Sequence, residues 1–226
     1  MFGLFRIRGA ADNLRLNAMS DGVFAIVMTL MVLDIKVPKV ADGDLAGALL
    51  ESWPEIAIML LSFVLLGIYW VGHNNVFQHI LKHDRFMLWL NILFLLVVAL
   101  VPYGTGMLVR HGGSQIAHVV YAGVLAAGGV LLDLIWLHAS ANRHLMCASA
   151  GPELIRAFHF RILTGPLLYV IAIAISFASL PATKFIFGLA AVYYLIPTTQ
   201  DLLHHKQLGG DPKAQARVKD EKDPEA

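Results

Sequence analysis

One stretch of this 226-residue chain concentrates the residues whose types and spacing could do chemistry. From Arg15 it runs through Ser20, Asp21 and Gly22 into an apolar segment that ends at Asp34. A serine or aspartate at the start of an apolar helix reads as an N-cap, and a carboxylate there meets the positive end of the helix dipole. Gly22 is a poor helix former, so its place near the membrane edge suggests close approach of another backbone. Ile26, Leu30 and Leu33 follow at i, i+4 and i+7 and so share one face, with Thr29 beside it. In a lone helix that stripe is lipid-facing or packs in a core. In a symmetric assembly each residue becomes a ring, and stacked rings of branched aliphatic side chains form a constriction that sheds water. Periodicity alone does not choose between these readings.

A second group of polar residues, Trp70, His73, Asn74, Gln78 and Asn91, falls at the depth of Ser20. Polar groups at membrane depth must find partners because water is scarce there. Arg15, Ser20 and Asp21 are therefore expected to bond with His73, Asn74 and Asn91. Asp133 stands inside another apolar run and is expected to reach Arg143 or water. The segment Pro102-Tyr-Gly-Thr-Gly106 has the composition of a carbonyl filter loop, but it lies at the end of a continuous span and reads as a helix-terminating turn. His204 and His205 are adjacent rather than one turn apart, so no metal site is expected. No paired carboxylates, nucleophile–base pair or glycine-rich phosphate loop argues for an enzyme, and no cofactor is expected.

The elements that must position these residues are membrane spans. Apolar residues make up 58% of the chain and charged ones only 15%, against about 45–50% and 25% in soluble domains. The mean hydropathy is +0.67. A hydrocarbon core about 30 Å thick needs roughly 20 apolar residues. Six runs approach that length: residues 19–37, 53–77 (extending toward 80), 86–109, 116–138, 162–180 and 185–203. The reading is all-α and polytopic, with a transmembrane domain over residues 1–205 and a charged, disordered cytoplasmic tail over 206–226. Lys82, Arg85, Arg143, Arg156 and Arg161 share one side with the N-terminal arginines, against Lys36, Lys39, Arg110 and Lys184 on the other. The positive-inside rule then places both termini in the cytoplasm. Gly123, Ala126, Ala127, Gly128 and Gly129 give the fourth span a small face suited to close helix packing. Cys147 is the single cysteine and reads as an inert loop thiol. No basic stripe with interleaved aromatics argues for nucleic acid.

The Arg15–Leu30 stretch resembles the signature of the transmembrane protein 175 family, the bacterial relatives of the lysosomal potassium channel. Arg15, Ser20 and Asp21 stand in the motif's order, followed by Gly22-Val-Phe-Ala-Ile26 and Thr29-Leu30. The chain departs at Met19, where the family usually has Phe. The resemblance implies a homotetramer in the cell membrane, with the first helices lining a central pore for potassium. It implies Ile26 as the main constriction, Leu30 and Leu33 as the next rings, and Thr29 as a nearby hydroxyl. Arg15, Ser20 and Asp21, with His73 and Asn74, would hold the pore helix in place. The expected function is a potassium-favouring cation channel surrounded by lipid; a cation- or proton-coupled secondary transporter is the alternative.

Overall fold

The computed structural model describes residues 10–33, 35–147 and 150–196. Six helices account for most of them: α1 (Ala10–Leu33), α2 (Leu45–Gln78), α3 (Arg85–Arg110), α4 (Gln115–Ala141), α5 (Pro152–Ser176) and α6 (Leu180–Leu195). The first five are long and apolar enough to cross a membrane, and α6 is a shorter apolar helix. Among the described residues the only β-type pairing is an isolated bridge between Ile80 and Met146. The chain is thus all-α and polytopic, as expected.

Several boundaries differ from the sequence reading. The first helix begins at Ala10, not Met19, so Ser20 and Asp21 lie well inside it. The N-cap reading of these two residues is wrong. Leu16, buried, carries the helix's packing stripe a turn beyond the apolar run. The second helix extends back to Leu45 through Pro54, and the fifth starts at Pro152, where proline at the first helical turn costs no backbone hydrogen bond. Residues 102–106 are helical and α3 runs on to Arg110, so that segment is neither a filter loop nor the terminating turn. The turn comes afterwards, at residues 111–113. The sixth helix starts five residues early. The remainder of its expected span, His204 and His205, and the tail lie outside the described residues.

The loops at the Ala10 end of α1 are tied together. Leu81 and Lys82 donate their backbone N–H groups to the Leu145 carbonyl at 2.8 and 3.2 Å. Cys147, half-buried in the α4–α5 loop, donates to the His79 carbonyl at 3.0 Å. Asn13 of α1 joins the same clamp: its amide donates to the Ile80 carbonyl at 2.9 Å and its oxygen meets His83 Nδ1.

Asp84 caps α3, accepting from the Met87 N–H at 2.8 Å, and meets His138 Nε2 at 2.8 Å. Burial alone would push this carboxyl up, but the Met87 N–H and His138 outweigh it and hold it below its ordinary 3.8. A folded value below the unfolded one adds stability above about pH 3.8, which is lost as pH falls through the folded value. Asp84→Ala should cost about 0.5–2 kcal/mol at neutral pH, the usual loss for a helix cap. Thermal melting of both proteins from pH 7 down to 3 should show the gap closing only at the acid end; a gap independent of pH would contradict this role.

Helix α4 packs chiefly on α3 and α5. A Cβ at Gly128 would lie 3.4 Å from the Tyr69 ring, and one at Gly129 only 2.6 Å from Pro166 Cγ. The Gly128–Gly129 part of the small face therefore serves packing within the chain, whereas Gly123 stands open among the described residues. The Tyr69 hydroxyl donates across the small face to the Leu125 carbonyl. Asp133 meets His159 Nδ1 of α5 at 2.8 Å, not Arg143, whose guanidinium donates to the Ala150 carbonyl at 2.8 Å. Arg143 stands beyond the end of α4, whereas His159 faces Asp133 directly across the α4–α5 contact.

Candidate functional site

Helix α1 has two faces of opposite character. Leu16, Ser20, Phe24, Val27 and Met31 recur at helical spacing and are buried against α2 and α3. On the other side Ile26 is 60% exposed, Leu30 50% and Leu33 79%, and Thr29 is exposed beside them. The Thr29 hydroxyl donates back to the Ala25 and Ile26 carbonyls, both at 2.9 Å, leaving its oxygen lone pairs facing outward. Among the described residues nothing outside its own helix lies within 4 Å of a Cβ built on Gly22, so none of them brings a second backbone up to it. Met19, on the same open side, is 46% exposed.

The buried face is held by a directional set of hydrogen bonds. Ser20 Oγ donates to the Leu16 carbonyl at 3.0 Å, one turn back. Asn91 Nδ2 of α3 donates to Ser20 Oγ at 3.2 Å. Asn91 Oδ1 then accepts at 2.9 Å from His73 Nε2 of α2, which must carry the proton. All three side chains are buried. His73 is also stacked between Phe77 and Phe94, with ring centroids at 4.3 and 5.4 Å. Three helices thus meet at one polar point surrounded by aromatic rings.

Asp21 does not join this point. Its Oδ1 accepts from Trp70 Nε1 at 2.8 Å on the exposed side of the α1–α2 contact. Arg15 and Asn74 are both exposed and make no side-chain hydrogen bond or ion pair among the described residues. The structure therefore brings Ser20, His73 and Asn91 together, links Asp21 to Trp70, and leaves Arg15 and Asn74 outside the network. Trp70 was legible only as a polar residue at the right depth. The Asn13 contact to the α2–α3 loop was not legible at all, because α1 was not expected to reach that far. No cluster of three or more His, Cys, Asp or Glu able to hold a metal occurs among the described residues.

Replacing Asn91 by Leu would orphan the buried His73 N–H and remove the donor to Ser20. Each orphaned buried group costs about 1–3 kcal/mol. Asn91→Leu should therefore lower the detergent melting temperature clearly, since it breaks both bonds, and His73→Phe somewhat less, since it keeps the stacking and orphans only the Asn91 Oδ1 acceptor. Unchanged melting in both variants would show that the hydrogen bonds contribute little.

Six apolar helices, five of them long enough to cross a membrane, with an exposed aliphatic stripe on the first, define the class: a polytopic membrane protein. The comparisons refine it. The family model described as endosomal/lysosomal potassium channel TMEM175 matches residues 15–102, which include most of α1, all of α2 and most of α3. A Streptomyces collinus protein named a potassium channel is 40% identical over 185 residues, covering 80% of this chain and 90% of that one. A Chamaesiphon minutus protein of the same naming is 34% identical over 188 residues, covering 80% and 93%. The crystal structure of a lysosomal potassium-selective channel TMEM175 homolog from Chamaesiphon minutus superposes with a TM-score of 0.73 at 33% identity, over 82% of this chain and 97% of that one. The chain belongs to the TMEM175 family.

Proposed function

We propose that this chain is a subunit of a potassium-favouring cation channel, with a pore lined by four copies of α1. The observation that carries the reading is the two-faced burial of α1. One side is fixed by packing and by the Ser20–Asn91–His73 bonds, while Ile26, Leu30 and Leu33 stay largely exposed among the described residues. Around a fourfold axis Ile26 becomes the main constriction, with Leu30 and Leu33 as the following rings and Thr29 offering oxygen lone pairs nearby. A ring of aliphatic side chains passes ions only as they shed part of their hydration, so discrimination between potassium and sodium is modest. The names carried by the bacterial relatives support potassium as the permeant ion.

Arg15, Ser20 and Asp21, with His73 and Asn74, act as supports of the pore helix rather than ion contacts. Arg15 and Asn74, exposed in the single chain, are available to a neighbouring subunit. Gly22 is open in the same way. Residues 1–205 form the channel domain and 206–226 a cytoplasmic tail. Both termini face the cytoplasm in the cell membrane, with the cationic α2–α3 and α4–α5 loops on that side.

One observation favours a second reading. The Asp133–His159 pair in the α4–α5 contact is the kind of intramembrane acid that a proton-coupled carrier uses. Purified protein in a planar bilayer separates the two. Discrete unitary current steps under a potassium gradient are expected for the channel; electrically silent, saturable uptake that needs a proton gradient would replace it with the carrier.

A further inference from the structure

At the Leu33 end of α1 residues of α1, α2 and α3 line a crevice of about 120 Å³. Its floor is apolar and buried: Met31 of α1, Met59 of α2 and, from α3, Thr105, whose hydroxyl donates back to the Val101 carbonyl. Its rim carries Lys36, just past α1, Glu55 of α2 and Arg110, the last residue of α3. Arg110 folds back along its own helix, with Nη2 4.0 Å from a Cβ built on Gly106, over the crevice wall. None of the three charged side chains forms an ion pair among the described residues. Two cations and one carboxylate therefore line the same crevice, above buried apolar side chains and near the ends of membrane-spanning helices, with no ion pair among the described residues.

We infer that this crevice binds the headgroup of a phosphoethanolamine lipid, with part of an acyl chain on the methionine floor. The phosphate oxygens accept from the Arg110 guanidinium and the Lys36 ammonium, a pairing that arginine makes in fork geometry. The lipid's primary ammonium donates to Glu55. A purely anionic headgroup would set its charge against Glu55, and a choline headgroup has no N–H to donate to it. The chain of the lipid lies against Met31 and Met59, whose flexible thioethers adapt to an irregular guest. The position matches the level at which headgroups meet helix ends. The inference requires only that the protein sits in a membrane, not that it conducts.

Native mass spectrometry of the detergent-purified full chain, titrated with matched-chain phosphatidylethanolamine, phosphatidylcholine and phosphatidylglycerol, tests it. Ethanolamine lipid is expected to bind about tenfold more tightly than the other two. Glu55→Gln should abolish that preference while phosphate-containing lipids still bind. Arg110→Gln should weaken all three. Glycerophosphoethanolamine and inorganic phosphate, which lack acyl chains, should bind far more weakly. Equal affinity for the three lipids, a preference for the glycerol headgroup, a preference that survives Glu55→Gln, or full binding by phosphate alone would each overturn the inference. Both substituted side chains are exposed, and an unchanged melting temperature in lipid-free detergent shows that the variants remain folded.

Discussion

Gly129→Ala is expected to be among the most damaging single-methyl additions in the chain. A Cβ at this position would lie 2.6 Å from Cγ and 2.7 Å from Cδ of Pro166. Those atoms belong to a ring fixed in the backbone of α5, so no rotamer change relieves the clash. Helices α4 and α5 must separate, and α4 also supports the Tyr69 hydroxyl through the Leu125 carbonyl. Overpacking a tight core costs about 1–3 kcal/mol, and a rigid neighbour puts this site at the upper end. Gly123→Ala is the control. It lies on the same helix, nothing among the described residues stands within 4 Å of a Cβ built on it, and alanine is the better helix former by about 1 kcal/mol. Melting followed by size-exclusion chromatography should show Gly129→Ala several degrees less stable than the parent and Gly123→Ala unchanged or better. Similar behaviour of the two variants would mean that the α4–α5 contact is looser than the structure has it.

Ile26→Asn is expected to leave the protein folded and change what passes through it. The side chain is 60% exposed in the single chain and is not part of its buried core, so the fold loses little. In the proposed pore the effect is large. An aliphatic ring gives a partly dehydrated ion nothing in exchange for its water. Four amide groups supply carbonyl oxygens and hold water, which lowers the crossing barrier for both cations and erodes the difference between them. Conductance should rise and the potassium-to-sodium permeability ratio should fall several-fold toward unity. Leu33→Asn, two turns along the same stripe and 79% exposed, should have a smaller effect, because the resemblance makes Ile26 the main constriction. An unchanged permeability ratio in Ile26→Asn would remove this residue from the filter.

The sequence made the membrane architecture legible because hydrophobic length is a direct physical requirement of crossing a bilayer. The α3 span was placed to within a residue at each end, since Arg85 and Arg110 bracket an uninterrupted apolar run. The start of α1 is not legible, for the converse reason. Residues between Ala10 and Ala18 form helix without being apolar enough to register as a span, so Ser20 looked like a cap. The aliphatic stripe of α1 was legible as spacing, but only burial in the folded chain separates Ile26 from Phe24 two residues away. The polar network was half legible. His73 and Asn91 could be placed at the depth of Ser20 by counting residues, yet rotation about each helix axis decides which side chains meet. That rotation sends Asn74 outward and turns Trp70 toward Asp21. The Asp133–His159 pair is not legible because the apolar run of the fifth span begins only at Ile162, leaving His159 outside it, whereas α5 starts at Pro152.

The central claim is a potassium-favouring pore along α1, and a reversal potential tests it most directly. Purified protein in a bilayer, with potassium on one side and an equal concentration of sodium on the other, should carry current in discrete steps. The current should reverse on the potassium side of zero, and the reversal should move toward zero in Ile26→Asn. A reversal at zero in the parent protein, or no current from verified assemblies, would contradict the account.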